Sequence, residues 1–260
     1  MKERLDNLLV KKGLVDSRTK GQWLIKSGNV LVENKKIVKP GKKIYNSHEI
    51  KLLKEFPYVG RGGLKLELAL KQFSISVKGK ICGDLGSSIG GFTDCLLKHG
   101  ASKVYAIDTA TNLLHPSLTS EEMKEKVIPM LGIDARKLFS FEKKLDICTI
   151  DLTFTSLTTV LPNVKKYLKK SGDIIALVKP IFETEFYKES KFEIIQDPNQ
   201  LFDILYNLVQ WNRNNQIFTY GIIKSPISGK EGSIEFLIHL KLKNDNLNPD
   251  YKKMINEILK

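Results

Sequence analysis

Between Lys2 and Leu14, the apolar residues Leu5, Leu8 and Leu9 recur at i, i+3 and i+4, the stripe of a short helix that Gly13 closes. Ser17 is placed to cap a second helix that runs through RTKGQWLIKSG and ends at Gly28. Val30 and Val32 then alternate with polar neighbours, ENKK and KPGKK supply turns, and HEIKLL alternates again. This predicts a helix pair followed by a small β unit, too small to carry a large core of its own.

Past Pro57 the pattern changes to short β-branched runs: KICGDLG, KVYAIDT, KVIPML, LDICTIDL and DIIALVKP. Segments of helical length, such as FTDCLLKHG and SLTTVLPNVKKYLKK, separate most of them. Strand and helix repeated in this way predict a parallel sheet covered on both faces. The repeat breaks at QIFTYGIIKSP and SIEFLIHLKL, which only ISGKEG separates. That gap is too short for a helical crossover, so the two runs should pair antiparallel at a sheet edge. DPNQLFDILYNLVQWN before them patterns as a helix, and YKKMINEILK as a short closing one. The expected domains are 1–58, 59–243 and a tail or helix over 244–260. A mostly parallel sheet with a terminal antiparallel hairpin is the α/β shape of a class I Rossmann-like methyltransferase, here joined to a small N-terminal α+β domain.

Charge refines the picture of that first domain. The 260 residues hold 42 Lys plus Arg against 29 Asp plus Glu, a net charge of +13. Residues 1–58 alone hold 14 basic and 6 acidic side chains. Such a concentration fits a phosphate backbone or an anionic surface. The three cysteines, Cys82, Cys95 and Cys148, form no C-x-x-C pair and the four histidines no H-x-x-x-H pair, so neither a disulfide framework nor a metal site is expected. The start MKERLDNLLVKKG lacks a signal-peptide apolar region, and no run approaches the ~18 apolar residues of a membrane span. A cytoplasmic protein without membrane insertion is expected.

The candidate chemistry gathers at strand ends. In GDLGSSIGGFTD, residues 83–94, the glycines are spaced G-x-x-x-G-G, not the G-x-G-x-x-G of a dinucleotide fold. Gly86, Gly90 and Gly91, with Ser87 and Ser88 among them, let the chain turn tightly over a ligand before a helix that starts near Phe92. Asp84 at the strand end is read as projecting its charge into the same crevice, which suits a ligand carrying ammonium and sulfonium groups. Asp108 closes the next strand, where an acid hydrogen-bonds ribose hydroxyls. Asp134 follows the third strand, placed to accept from an adenine amino group. Three acids at successive strand ends with a glycine loop describe a pocket for S-adenosyl-L-methionine. Four further residues are reactive candidates: Lys65 in GRGGLKL, Asp151 in IDLTF, Lys179 in LVKPIFE and Glu235 in GSIEFL. Lys179, between the run IIALV and Pro180, sits at the mouth of a buried strand, where proton handling is most favourable.

These segments together resemble the TlyA family, in the same order along nearly the whole chain: RLDNLLVKKGLVDSRTKGQWLIKSGNVLV, VGRGGLKL, DLGSSIGGFTDCLL, LVKPIFE and SPISGKEGSIEFL. The resemblance implies an alpha-L RNA-binding motif joined to an FtsJ-like ribose 2′-O-methyltransferase domain, with ribosomal RNA or ribosomal subunits as partner. It also implies a Lys-Asp-Lys-Glu tetrad, which falls on Lys65, Asp151, Lys179 and Glu235. In that role Lys179 is the central group at the nucleophilic hydroxyl, Asp151 and Glu235 orient it, and Lys65 supplies a second cation. For the N-terminal domain it implies RNA contact through the helix pair, making Arg4, Arg18, Lys20 and Lys26 the candidates for gripping phosphate. Two other readings stand beside it: an RNA- or ribosome-binding protein with a degenerate methyltransferase domain, and the haemolysin that the family is often labelled.

Overall fold

Leu5, Leu8 and Leu9 turn inward as their spacing predicts. They lie in helix α1 (Leu5–Lys11) and bury themselves against Leu24 and Ile25 of helix α2 (Arg18–Lys26), with Val30, Val32, Ile37 and Ile44 from the following segment. The computed structural model describes residues 1–137, 140–184, 194–229, 232–245 and 249–260, and the chain falls into two compact units, Met1–Arg61 and Gly62–Lys260. Ser17 caps α2 by accepting from the backbone N–H of Lys20 at 3.4 Å. The first residues differ from expectation: Lys2–Arg4 form a strand, β1, before α1 begins. Arg4 is extended at φ −62° and ψ 137°, and β1 pairs antiparallel with β4 (Lys43–Tyr45). Strand β2 (Val30–Val32) lies between β3 (Lys35–Lys36) and β5 (Ile50–Leu52).

The second unit is built on a seven-stranded sheet. Its strands are β6 (Ile81–Leu85), β7 (Lys103–Asp108), β8 (Val127–Leu131), β9 (Leu145–Ile150), β10 (Leu168–Val178), β11 (Phe218–Lys224) and β12 (Phe236–Lys241), in the order β11-β12-β10-β9-β6-β7-β8. Strands β6 to β10 are mutually parallel, whereas β12 runs antiparallel to both β10 and β11. The five β-branched runs thus form the parallel part and the two close-set runs the edge hairpin. Lys230 and Glu231, inside the ISGKEG connection, lie outside the described residues.

Helices α3 (Gly62–Gln72), α4 (Gly91–Lys98), α5 (Leu157–Tyr167), α6 (Pro198–Asn214) and α7 (Tyr251–Leu259) accompany the sheet. The C-terminal segment is a helix: α7 packs on α6 and buries Ile255 completely in the main core. Helix α3 is not legible in the sequence pattern. Its LKLEL alternation has the period of a strand, and helix formation is decided by burial of Leu66, Ala69 and Leu70. Between β6 and β9 the strand order reverses, and crevices at the carboxyl ends of such strands are where open α/β sheets hold ligands.

Candidate functional site

The glycine loop follows β6 directly. Gly86 has φ 83°, a conformation L side chains rarely adopt, and a Cβ there would collide with the backbone carbonyl oxygen of Asp151. Gly91 serves a different need: a Cβ would come within 3.3 Å of the backbone of Gly62 and Gly63, so α3 and α4 meet through glycines. A cavity of about 550 Å³ opens over the loop, with Gly86, Ser88, Asp108, Asp134, Asp151 and Lys179 among its lining residues. That size is ordinary for a small-molecule site.

The acids at the strand ends have unlike surroundings. Asp84 does not reach into the crevice as expected; it is fully buried and accepts from the Thr93 hydroxyl at 2.7 Å and the Thr149 hydroxyl at 2.9 Å. The strand's pleat sets it beside Thr149 of β9 and towards Thr93 of α4. Burial pushes its carboxyl up to about 6, against the opposing pull of the two hydroxyl bonds. Between the unfolded value near 4 and this one the folded state binds the extra proton, so stability falls as pH rises through that window and stays reduced above it. Asp84→Asn should therefore raise the melting temperature at pH 8, relieving a penalty on the order of 2–3 kcal/mol, and the gain should shrink towards pH 4.5. Thermal melts at the two pH values check this; an equal shift at both would show that charge burial is not the cause.

Asp108 lines the cavity with both carboxylate oxygens engaged, one by the N–H of Ser88 at 2.7 Å and the other by the N–H of Ala110 at 2.9 Å. It ties the glycine loop to the end of β7. Asp134 is gripped by Arg136, whose Nε and Nη2 approach its oxygens at 2.6 to 3.0 Å and hold its pKa below the usual carboxylate range. Arg136 also lines the cavity and was not singled out from the sequence. Phe92 is buried in α4, not cavity-lining, and Gly62 sits against its ring. Ser87 is buried, and its hydroxyl has no hydrogen-bond partner among the described residues.

The four reactive candidates form two ion pairs at one end of the sheet. Lys179 Nζ lies 2.6 Å from Asp151 Oδ1 and also donates to the Leu152 carbonyl at 2.9 Å. Lys65, in the first turn of α3, pairs with Glu235, and both are buried. Topology explains the convergence. Val178 is paired with Phe236 across β10 and β12, so the next antiparallel step sets Lys179 opposite Glu235. On the other side β9 runs parallel to β10 and ends at Ile150, one residue before Asp151. Lys179 thus stands between the ends of two neighbouring strands that carry carboxylates.

Phe154, also missed from the sequence, lies at the cavity with φ 60° and 61% exposure. A bulky residue in the left-handed region is strained, and exposing an aromatic ring adds to the cost. Such cost concentrates at functional sites.

In the first unit, Arg4 and Arg18 are about half exposed and converge on Asp6, a fully buried carboxylate. Burial alone would raise the Asp6 pKa, but bonds from Arg4, Gln22 and Arg18 hold it far below the usual range. Lys26 is exposed. Lys20 differs from expectation: its side chain is only 11% exposed, paired with Asp16 at 2.6 Å and seated 5.3 Å from the Phe56 ring. The apolar side of α2 faces the core at that position, so Lys20 is occupied within the unit.

Comparison with known proteins gives a consistent picture. Residues 58–242 match the FtsJ-like methyltransferase model and residues 3–48 the S4 domain model. The Bacillus subtilis protein YqxC is 41% identical over 92% of this chain and 85% of its own length. Hemolysin A of Brachyspira hyodysenteriae is 37% identical over 91% and 98%. The 16S/23S rRNA (cytidine-2′-O)-methyltransferase TlyA of Mycobacterium tuberculosis is 31% identical over 93% and 91%. Among solved structures, a SAM-dependent methyltransferase from Aquifex aeolicus shares the fold, at TM-score 0.51 and 17% identity over 72% of this chain and 95% of its own. Among the described residues no helix is long and apolar enough to cross a membrane, and no cluster of His, Cys, Asp or Glu could hold a metal ion.

Proposed function

The chain belongs to the FtsJ-like methyltransferase family and carries an S4 domain ahead of the catalytic one, and from that premise we propose that it methylates ribose 2′-hydroxyls of ribosomal RNA with S-adenosyl-L-methionine. The observation that carries the reading is the placement of Lys179, paired with Asp151 on one neighbouring strand end and opposite Glu235 on the other, beside a cavity floored by the glycine loop.

The residues present fit the methyl donor. Ser87, between the lining residues Gly86 and Ser88, carries a buried hydroxyl with no partner among the described residues, and Asp108 and Asp134 supply acceptors on the cavity wall. Bound there, the donor supplies an electrophilic methyl group. The chain's own residues prepare the other reactant. Nζ of Lys179 has three donor positions, of which Asp151 and Leu152 take two among the described residues, and the third orients the ribose oxygen. The Asp151 carboxylate takes up the proton that the hydroxyl releases as its oxygen attacks, while Lys179 keeps its own. Lys65 neutralises Glu235 and fixes it against the same strand end. The exposed face of Phe154 stacks on an unstacked base at the cavity mouth.

RNA affinity comes chiefly from the first unit. Arg4 and Arg18, pre-aligned by Asp6, grip phosphates with Lys26. Arg18→Gln and Lys26→Gln should each reduce the slope of log affinity against log salt by about 1, with similar effect on any RNA sequence. Filter binding over a salt series measures this, and an unchanged slope would place the phosphate contacts elsewhere. The activity itself is tested by transfer of labelled methyl to intact ribosomes, separated subunits and naked rRNA. Label should enter at least one of them; failure with all three, under conditions where calorimetry shows donor binding, would overturn the proposal.

A further inference from the structure

Two loops meet at the catalytic lysine, and a carboxylate with no part in the tetrad joins them. Lys179 begins a tight 3₁₀ turn, Pro180–Glu183, closed by the Phe182 N–H donating to the Lys179 carbonyl at 2.9 Å. The facing loop leaves β9 at Asp151 and ends at Ser156, which caps α5. At one end the loops are joined by Lys179, through Asp151 and Leu152. At the other, Glu183 accepts from the Ser156 hydroxyl at 2.6 Å and from the Leu157 backbone N–H at 2.9 Å. Between these ends the rings of Phe154 and Phe182 lie 5.5 Å apart.

We propose that Glu183 is a positioning residue: it clamps the loop after β9 to the turn after β10 and so fixes Asp151 and Phe154 relative to Lys179. Three features support a clamp and not a simple helix cap. Ser156 already caps α5 through the Thr158 N–H, so the Glu183 bonds add a tie between loops. Both Glu183 oxygens accept from neutral donors, and burial pushes its pKa upward, so the carboxylate is held there at a cost that ordinary surface capping does not incur. Phe154, two residues before Ser156, sits at a positive φ that persists only where its neighbours hold it. With the clamp open, the loop relaxes, and Asp151 no longer meets Lys179 in a single geometry.

The catalytic consequence rests on the methyl-transfer reading above; the clamp itself does not, and two readouts separate them. Hydrogen exchange across residues 152–157 is compared in full-length wild type, Glu183→Ala and Glu183→Gln, with strands β6 and β9 as the internal reference for global opening. In Glu183→Ala the loop amides should exchange about tenfold faster while the reference strands do not change. Glu183→Gln, which keeps the shape and one acceptor, should restore most of the protection. Unchanged loop exchange in Glu183→Ala overturns the clamp, whatever the enzymatic result. On rRNA substrate, turnover of Glu183→Ala should fall about 10- to 100-fold, with the calorimetric donor Kd unchanged and partial rescue in Glu183→Gln. A loosened loop with wild-type turnover would overturn the positioning role. A wild type that methylates no RNA would count against the methyl-transfer reading, leaving exchange to decide the clamp.

Discussion

Lys179→Met is expected to lower the turnover of RNA methylation by about 10³-fold while leaving donor binding intact. The substitution keeps the side chain's length and apolar stem, so the strand end stays packed. It removes the ammonium that Asp151 holds at 2.6 Å and that Leu152 receives at 2.9 Å. The nucleophilic oxygen then loses its orienting donor, and Asp151, which accepts its proton, loses the partner that positions it. Single-turnover methylation and calorimetric donor titration on the same preparation separate the two effects. Turnover within about tenfold of wild type would mean that Lys179 is not the central group, since positioned acid–base groups contribute more than that. Lys179→Arg should not restore activity, because a planar guanidinium cannot occupy the geometry of a compact ammonium.

The second large effect is expected at the loop. Gly86→Ala forces a Cβ onto a residue with φ 83° and into the carbonyl of Asp151, which is backbone and cannot swing away. Strain and overpacking together should cost about 2–4 kcal/mol of stability. The forced shift distorts the glycine loop that floors the cavity, so donor affinity should also weaken, by about tenfold or more. Denaturant unfolding and calorimetry measure the two consequences. A variant with an unchanged unfolding midpoint and unchanged donor affinity would show that the close approach of these two loops is not essential.

Much of this was legible in the chain, for identifiable reasons. The central parallel strands announced themselves because β6, β7 and β9 are buried almost throughout and so read as continuous apolar runs, and the antiparallel hairpin followed from a connection too short to cross over. Lys179 and Asp151 were legible because they directly follow such runs. Directions of side chains were not. Whether Asp84 faces the crevice or is buried away from it depends on the pleat and on Thr93 and Thr149, which come from α4 and β9. Lys20 looked like a surface cation, and only the packing of Phe56 against α2 shows that it is enclosed. Glu183 and Phe154 were not legible because their contacts join loops distant in sequence. Arg136, two residues from Asp134, illustrates the limit of spacing alone: the local pair exists because both side chains meet at one cavity wall.

The central claim is that this site methylates a ribose oxygen, and the position of the transferred methyl tests it most directly. Ribosomal RNA labelled by the wild-type protein should, after complete digestion to nucleosides and mass spectrometry, carry the new methyl on ribose, leaving an alkali-resistant phosphodiester at that nucleotide. Lys179→Met should yield no such product at matched donor saturation. Label found on a base, or ribose methylation that survives the loss of Lys179, would contradict the account.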